Sequence, residues 1–305
     1  MSAALRRVMT APRQVLPGAS YLITRRCAQR QYLLRPSEIT NDVFLFVLAV
    51  AARRFGIMVH AFCVMSNHFH LLVTDTEARL PEFQQYLDAL VARAVNSSFG
   101  RWEAFWAPNS YSAVKLVSPD DIVEKTAYVL ANPVSAGLVR TGRLWPGLWS
   151  DPERIGAGPT DVHRPDHFFS KNKSTLPKTL AFELTAPPGF DTAEEFRSRV
   201  ITALAERERD AERRVGRRGF LGVARVLKQN PMARPGSVEP RRNLNPRVAA
   251  RNTWMRIAAL ASRVEFVRAY RSALAARRAG KLDVVFPAGT YLLLVMHGVP
   301  CEAFG

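Results

Sequence analysis

Hydrophobic and polar positions along residues 14–150 alternate between the two-residue period of strands and the longer period of helices. β-Branched and aromatic residues in short alternating runs predict four strands, at residues 21–25, 57–65, 68–74 and 111–117. Residues 31–35 are a candidate extension of the first strand or a hairpin partner for it. Apolar residues at helical spacing predict three helices, at residues 41–55, 82–96 and 119–132.

Turn and cap residues mark the limits of these elements. Asn41 is the expected N-cap of the first helix, and Gly56 is expected to end it. Ser118 is followed by Pro119 and, three positions on, by Asp121. This combination predicts a helix that starts at Ser118 and stops before Pro133.

The resulting order, β-α-β-β-α-β-α, predicts an α+β fold. It matches a ferredoxin-like (βαββαβ) antiparallel-sheet core followed by one extra helix. This core is expected to occupy residues 14–150, with a Pro- and Gly-rich loop or linker over 151–190. Residues 191–305 are predicted to form a basic, mostly helical C-terminal region, with helices at 192–215 and 251–279 around an irregular segment.

Composition narrows the class of protein. Of 305 residues, 48% are hydrophobic and 23% are charged, which excludes disorder throughout. The longest apolar run, residues 43–52, is too short to span a bilayer. No apolar segment typical of a signal peptide follows Arg6 and Arg7, and the three cysteines form no C-x-x-C pair. We therefore expect a cytoplasmic protein with no membrane partner.

The positive charge is concentrated near the C-terminal side of the chain. The net charge is +17, and residues 213–256 contain 12 basic residues with Glu239 as their one acid. Such a segment favours a polyanion partner, most often nucleic acid. A solubilising linker is the alternative. Charge alone distinguishes neither DNA from RNA nor binding from catalysis.

Two histidines form the first chemical signal. His68 and His70 lie two residues apart on a predicted strand, so their side chains share one face, while Phe69 points to the other. Two neighbouring imidazoles can bind one divalent metal ion. A polar strand face without a metal is the other interpretation of the pair.

The helix after Ser118 carries the second signal. Tyr128 and Asn132 lie one turn apart, on the face opposite the apolar stripe of that helix. They could be a surface tyrosine and a C-terminal cap. Alternatively, Tyr128 is a nucleophile and Asn132 an oxygen ligand to the metal held by the histidines.

The motifs around these residues resemble those of the single-tyrosine HUH transposases. Residues 65–73 (MSNHFHLLV) are similar to the family's M-P-N-H-x-H-L-L segment, and residues 128–139 (YVLANPVSAGLV) to its Y-I-x-x-N-P-V-R-A-G-L-V segment. Residues 21–26 and 111–115 resemble the family's first strand and the strand before the catalytic helix. The group most similar is that of the REP-associated tyrosine transposases. The chain departs from the pattern at Leu22, Ser66 and Ser135, where the family usually has His, Pro and Arg.

The resemblance implies a function for each matched residue. His68 and His70 correspond to the metal ligands, Asn132 to the additional polar ligand, and Tyr128 to the nucleophile. In this family the tyrosine attacks single-stranded DNA, often at a hairpin or palindromic repeat. It forms a 5′-phosphotyrosine and releases a 3′-hydroxyl, with Mg²⁺ or Mn²⁺ as cofactor. The expected protein is therefore a transposase that cleaves and rejoins DNA.

The sequence is also compatible with other functions and offers further candidate residues for DNA contacts. A protein on the same fold could bind nucleic acid without cleaving it, and a metal hydrolase could combine the histidine pair with Asp75. In the basic segment, four arginines are candidates for contacts with the DNA backbone: Arg241, Arg242, Arg247 and Arg251. Three aromatic residues could stack on unpaired bases or pack in the core: Trp102, Phe105 and Trp106.

Overall fold

A computed structural model describes residues 12–108, 111–169, 175–237 and 246–304. The chain divides into two compact units, Gly18–Arg251 and a second made of Met1–Pro17 with Asn252–Gly305. The described residues of 191–237 and 246–251 belong to the larger of these units. Across the described ranges, no helix is both long enough and apolar enough to cross a membrane.

The larger unit begins with the predicted alternation of strands and helices and continues beyond it. In chain order its elements are β1 (Ala19–Arg26), α1 (Glu38–Arg54), β2 (Ile57–Met65), β3 (His68–Asp75), α2 (Leu80–Ser98), β4 (Ser112–Leu116), α3 (Pro119–Leu130), α4 (Asn132–Ser135), β5 (Thr160–His163), β6 (Thr179–Phe182), α5 (Ala193–Val215), α6 (Val223–Leu227) and β7 (Val248–Ala249).

The larger sheet of this unit has the strand order β2-β3-β1-β4-β7. The first four strands pair antiparallel, and β7 pairs with β4 in parallel. The protein is therefore an α+β protein with a mixed five-stranded sheet. Strands β5 and β6 form a separate antiparallel hairpin.

The two faces of the sheet carry different side chains because successive residues of a strand point to opposite sides. On β3, Phe69 is fully buried and lies edge-on to Phe44 of α1, with 5.1 Å between the ring centroids. Helices α1 and α2 pack against each other, while α3 packs against β2, β3 and α5. The histidines of β3 accordingly project away from Phe69, toward the side of α3.

The smaller unit consists, in its described part, of residues 12–17 and 252–304. It contains α7 (Thr253–Arg278) and α8 (Leu292–His297). The Asn252 side chain caps α7 by accepting a hydrogen bond from the Met255 backbone. The hydrophobic core of the smaller unit is formed by Ala273, Phe286 and Val299.

Several predicted boundaries differ from the structure. Ser37, not Asn41, caps the first helix, and its hydroxyl accepts a hydrogen bond from the Thr40 backbone. Residues 31–35 form no strand, and the helix that starts after Ser118 ends at Leu130 rather than Asn132. The region over 151–190, predicted as loop or linker, contains the β5–β6 hairpin. Its four-residue strands are too short for their alternation to stand out among Pro and Gly.

A half-buried carboxyl group contacts the end of β1 nearest the histidines. Asp88 of α2 pairs with Arg25 (Nε–Oδ2 3.3 Å) and accepts a hydrogen bond from Gln84 (2.7 Å). Burial nevertheless raises the pKa of Asp88 to about 7, against the opposing effect of Arg25. Folded protein therefore retains a proton on Asp88 between about pH 4 and 7, where the unfolded chain has lost it.

This proton makes stability depend on pH. A carboxyl group whose pKa is higher in the folded protein than in the unfolded chain stabilises the folded protein fully at any pH below its unfolded pKa. For Asp88, this stabilisation is lost as pH rises toward 7. The contribution of Asp88 to the free energy of unfolding should fall by up to about 1.4 kcal/mol per pH unit in this window. Urea denaturation at pH 5, 6 and 7 should show a flatter dependence for Asp88→Asn. The exposed Asp161→Asn serves as control, and parallel profiles for wild type and Asp88→Asn would contradict the assignment.

Candidate functional site

The two histidines of β3 lie side by side, as their spacing predicts. The ring centroids of His68 and His70 are 4.8 Å apart, with the ring planes nearly perpendicular. His70 is buried, whereas His68 is half-buried and starts the strand. Two imidazoles thus meet where β3 leaves its turn with β2.

Each histidine has its Nδ1 atom in contact with a neighbouring oxygen. His68 Nδ1 lies 2.7 Å from Asn67 Oδ1, an acceptor, so Nδ1 donates and the lone pair is on Nε2. His70 Nδ1 lies 2.8 Å from the hydroxyl of Thr24, which pairs with His70 across the β1–β3 ladder. Metal-binding histidines usually have such partners, which fix the ring orientation and tautomer.

Burial also sets the charge of His70. Its pKa lies well below the ordinary value, first because burial disfavours the cation and then because a proton on His68 and the charge of Arg26 would repel a second positive charge. His70 is therefore neutral at physiological pH, the state in which imidazole can bind a metal ion.

Helix α3 brings Tyr128 to these histidines. Ser118 and Asp121 form the predicted capping box, which fixes the start of the helix. Tyr128 lies ten residues further along, and its ring centroid is 5.6 Å from that of His70. The side chain is 37% exposed, so its ring packs on one side and remains accessible on the other.

Asn132 is held close to the backbone of the same helix. Its Nδ2 atom donates to the carbonyl oxygens of Tyr128 (2.8 Å) and Val129 (3.3 Å). These bonds use the amide nitrogen, which leaves Oδ1 as the atom that can accept a hydrogen bond or coordinate a cation. The Asn132 side chain thus bonds to the last turn of α3, whose C-cap residue is Ala131, and keeps its oxygen as a possible ligand.

Two cations near Tyr128 complete the electrostatic surroundings. Lys125 Nζ and Arg207 Cζ lie 5.7 and 5.8 Å from the centroid of the tyrosine ring. Burial raises the pKa of Tyr128, and Arg207 acts in the opposite direction. Arg207 comes from α5 and forms an ion pair with Glu124, one turn before Tyr128. No sequence pattern indicates Arg207 as a site residue, because α5 lies far from Tyr128 along the chain.

The donor set fits a divalent cation. Within the described residues, no group of three or more His, Cys, Asp or Glu side chains is arranged so that it could hold a metal ion. Two imidazole nitrogens and one amide oxygen, from His68, His70 and Asn132, are nevertheless accepted ligands for borderline or hard divalent ions. Open coordination positions would remain for phosphate oxygens.

Asp75 lies too far from this site to join it. It is at the opposite end of β3, five residues from His70, which corresponds to roughly 17 Å along an extended strand. Its carboxylate accepts hydrogen bonds from the backbone of Leu80 (2.8 Å) and Arg79 (2.9 Å) at the start of α2. A hydrolase that pairs the histidines with Asp75 therefore has no support.

The four arginines predicted to contact DNA differ in where they lie in the structure. Arg241 and Arg242 lie outside the described residues. The backbone oxygen of Arg247 accepts from Lys115 of β4 (2.9 Å). The backbone nitrogen of Arg251 donates to Asp121 (2.7 Å), and Arg251 lines a pocket together with Arg207. Strand β7 thus places Arg251 beside the tyrosine helix.

The three aromatic residues before β4 differ in their exposure to solvent. Phe105 is buried, and Trp106 donates from Nε1 to the Asp88 backbone oxygen (2.9 Å), so both are structural. Trp102 is 89% exposed. It lines a cavity of about 640 Å³ with Phe168, Arg93 and other residues of the α2–β4 region.

Comparison with known proteins finds several similar solved structures. No protein-family model matches the chain, and no curated protein matches it. The chain is similar in structure to a REP-associated tyrosine transposase bound to a REP hairpin, with 17% identity and a TM-score of 0.38 over 44% of this chain and 78% of that one. It is also similar to a candidate transposase from Deinococcus radiodurans, with 22% identity and a TM-score of 0.27 over 35% of this chain and 85% of that one. The first bears the name of the group that the sequence motifs resemble.

Proposed function

We propose that this protein is a metal-dependent transposase that cleaves and rejoins single-stranded DNA through a 5′-phosphotyrosine on Tyr128. The observation that carries the proposal is the edge contact between the Tyr128 ring and His70, which itself lies beside His68. Asn132 follows Tyr128 by one helical turn and donates to its backbone oxygen. The strand order β2-β3-β1-β4 with antiparallel pairing supports a ferredoxin-like core beneath them.

The proposed reaction exchanges one phosphodiester for another. The Tyr128 oxygen attacks the phosphorus, the bond to the 3′ oxygen breaks, and the phenolic proton ends on the released 3′-hydroxyl. Attack by a second 3′-hydroxyl reverses the step and joins the strands. Because the phosphotyrosine conserves the bond energy, the reaction consumes no nucleotide.

The residues around Tyr128 have separate tasks in this scheme. His68, His70 and Asn132 would hold Mg²⁺ or Mn²⁺, which polarises the scissile phosphate when bound. Thr24 and Asn67 keep the two imidazoles oriented. Arg207 lies beside the phenol and favours its anionic form.

DNA is the proposed partner because the positive net charge of the protein favours binding of a polyanion. The net charge is +17, and Arg251, from the basic segment, lies beside the tyrosine helix. A hairpin or palindromic repeat is the proposed substrate, as the resemblance of the motifs implies.

A covalent-adduct assay tests this function. Labelled single-stranded hairpins from a varied pool, including palindromes that flank the gene, are mixed with protein and Mn²⁺ or Mg²⁺ and separated on a denaturing gel. We expect a protein–DNA band that requires the metal. Binding of the hairpins without any adduct would instead support a nucleic-acid-binding protein that does not cleave.

The exposed Trp102 should contribute to the binding of unpaired bases. Stacking of one base on an aromatic side chain is worth about 1–3 kcal/mol, so Trp102→Ala should weaken binding of a single-stranded oligonucleotide by about 10-fold or more. Fluorescence anisotropy at fixed salt measures this effect. Trp254, 79% exposed on α7, provides the matched control as Trp254→Ala. Equal affinities for wild type and Trp102→Ala would exclude stacking at this cavity.

A further inference from the structure

Helix α5 places an arginine beside the nucleophile of the proposed reaction. Arg207 Cζ lies 5.8 Å from the centroid of the Tyr128 ring, and its side chain is about one-third exposed. The ion pair with Glu124 of α3 fixes the guanidinium on that side of the helix. A guanidinium presents several donors in a planar fork that matches phosphate oxygens.

Arg207 also lines a pocket between α3, α5 and the chain after β7. The pocket has a volume of about 730 Å³ and contains four arginine side chains, Arg207, Arg213, Arg214 and Arg251. Ligand-binding clefts typically have volumes in this range. The pocket therefore has room for more than one phosphate group.

The charges of the pocket leave cations available to a ligand. Its acids are Glu124, Glu206 and Asp210, so four arginines leave one net positive charge. Glu124 is paired with Arg207, and Asp210 with Arg213. Among the described residues, no ion pair engages the guanidinium groups of Arg214 and Arg251, although Arg214 Nε donates to the Asp210 backbone oxygen (3.2 Å). Groups of this kind bind the backbone phosphates of nucleic acids.

We propose that this pocket binds the DNA backbone at the cleavage point, with Arg207 on the phosphate that Tyr128 attacks and Arg214 and Arg251 on the adjoining phosphates. The inference rests on the proposed function and adds a phosphate-binding role for α5. A donor aimed at the phosphate stabilises the negative charge that develops in the transition state. Arg207 would then stay paired with the phosphate in the phosphotyrosine.

A purely structural role for Arg207 is the alternative, because it joins α5 to α3. The same two helices offer a matched pair for comparison. Arg199, two turns earlier on α5, forms an ion pair with Asp120 of α3 and lies over Phe190, 5.4 Å from its ring centroid. Arg199→Ala therefore removes an α5–α3 ion pair without removing a group beside Tyr128.

The test is the single-turnover rate of adduct formation at saturating hairpin DNA. We expect Arg207→Ala to lower this rate by about 100-fold, as loss of one transition-state donor typically does. Arg207→Lys should retain an intermediate rate, and Arg199→Ala should remain near wild type. Millimolar guanidinium should restore part of the Arg207→Ala rate, since a free guanidinium can enter the opened pocket. Equal rates for Arg207→Ala and Arg199→Ala, or no rescue by guanidinium, would overturn the proposal.

A binding measurement separates this proposal from the proposed function. Affinity of Tyr128→Phe protein for a single-stranded oligonucleotide is measured across salt concentrations, with and without Arg207→Ala, Arg214→Ala and Arg251→Ala. Removing one arginine that binds a phosphate should reduce the slope of log K against log salt by about 0.7. If wild-type protein forms no adduct but these slopes fall, the strand-transfer function fails and the phosphate pocket stands. Unchanged slopes would reject the pocket even where the adduct forms.

Discussion

Tyr128→Phe should abolish the covalent protein–DNA adduct while leaving hairpin binding nearly unchanged. The substitution removes the oxygen that is proposed to form the bond to phosphorus, so the adduct should fall below detection. The ring would keep its edge contact with His70, at a centroid distance of 5.6 Å. Because the side chain is 37% exposed and the substitution removes only a hydroxyl, the melting temperature should change little.

The control for this experiment is a second tyrosine of the same unit. Tyr86 lies on α2 and packs edge-on against Phe55 at a centroid distance of 5.7 Å. Tyr86→Phe likewise removes one phenolic hydroxyl, but far from the histidines along the fold, and should form the adduct at the wild-type rate. An adduct that persists in Tyr128→Phe would assign the nucleophile to another residue and reject the proposed reaction.

The local parts of the site could be predicted from the sequence because local geometry determines them. His68 and His70 share a face because a strand has a period of two residues. The capping box of Ser118 and Asp121 fixes the start of α3, and the phase of that helix then directs Tyr128 away from its apolar stripe. These rules place the side chains on their elements without knowledge of any tertiary contact.

The remaining parts depend on contacts between distant segments. Thr24 meets His70 only through the register of β1 against β3, which no periodicity specifies. Arg207 reaches Tyr128 because α5 packs on α3, and Val248 and Ala249 of the basic segment pair with β4 as strand β7. A two-residue strand has no detectable alternation, so this pairing could not be predicted from the pattern of residues. The charge of the basic segment was visible in the sequence, but its position beside the tyrosine helix was not.

His68→Ala should eliminate metal binding at the site and reduce adduct formation by more than about 100-fold. His68 is half-buried at the start of β3, so its removal should perturb the core less than removal of the buried His70. Binding of Mn²⁺, followed by the electron paramagnetic resonance signal of the free ion, gives a readout that does not require activity. His163→Ala, in the exposed β5 strand, is the matched control and should bind Mn²⁺ like wild type.

The oxygen partners of the histidines provide the finer test of how the sheet builds this site. Thr24→Val keeps the shape of the side chain but removes the hydroxyl 2.8 Å from His70 Nδ1. If that hydroxyl orients the imidazole, Mn²⁺ affinity should fall by about 10- to 100-fold, with the histidines themselves intact. Unchanged affinity in Thr24→Val together with loss in His68→Ala would mean that burial alone orients His70. Wild-type affinity in both variants would show that the metal binds elsewhere, and the proposed ligand set would be wrong.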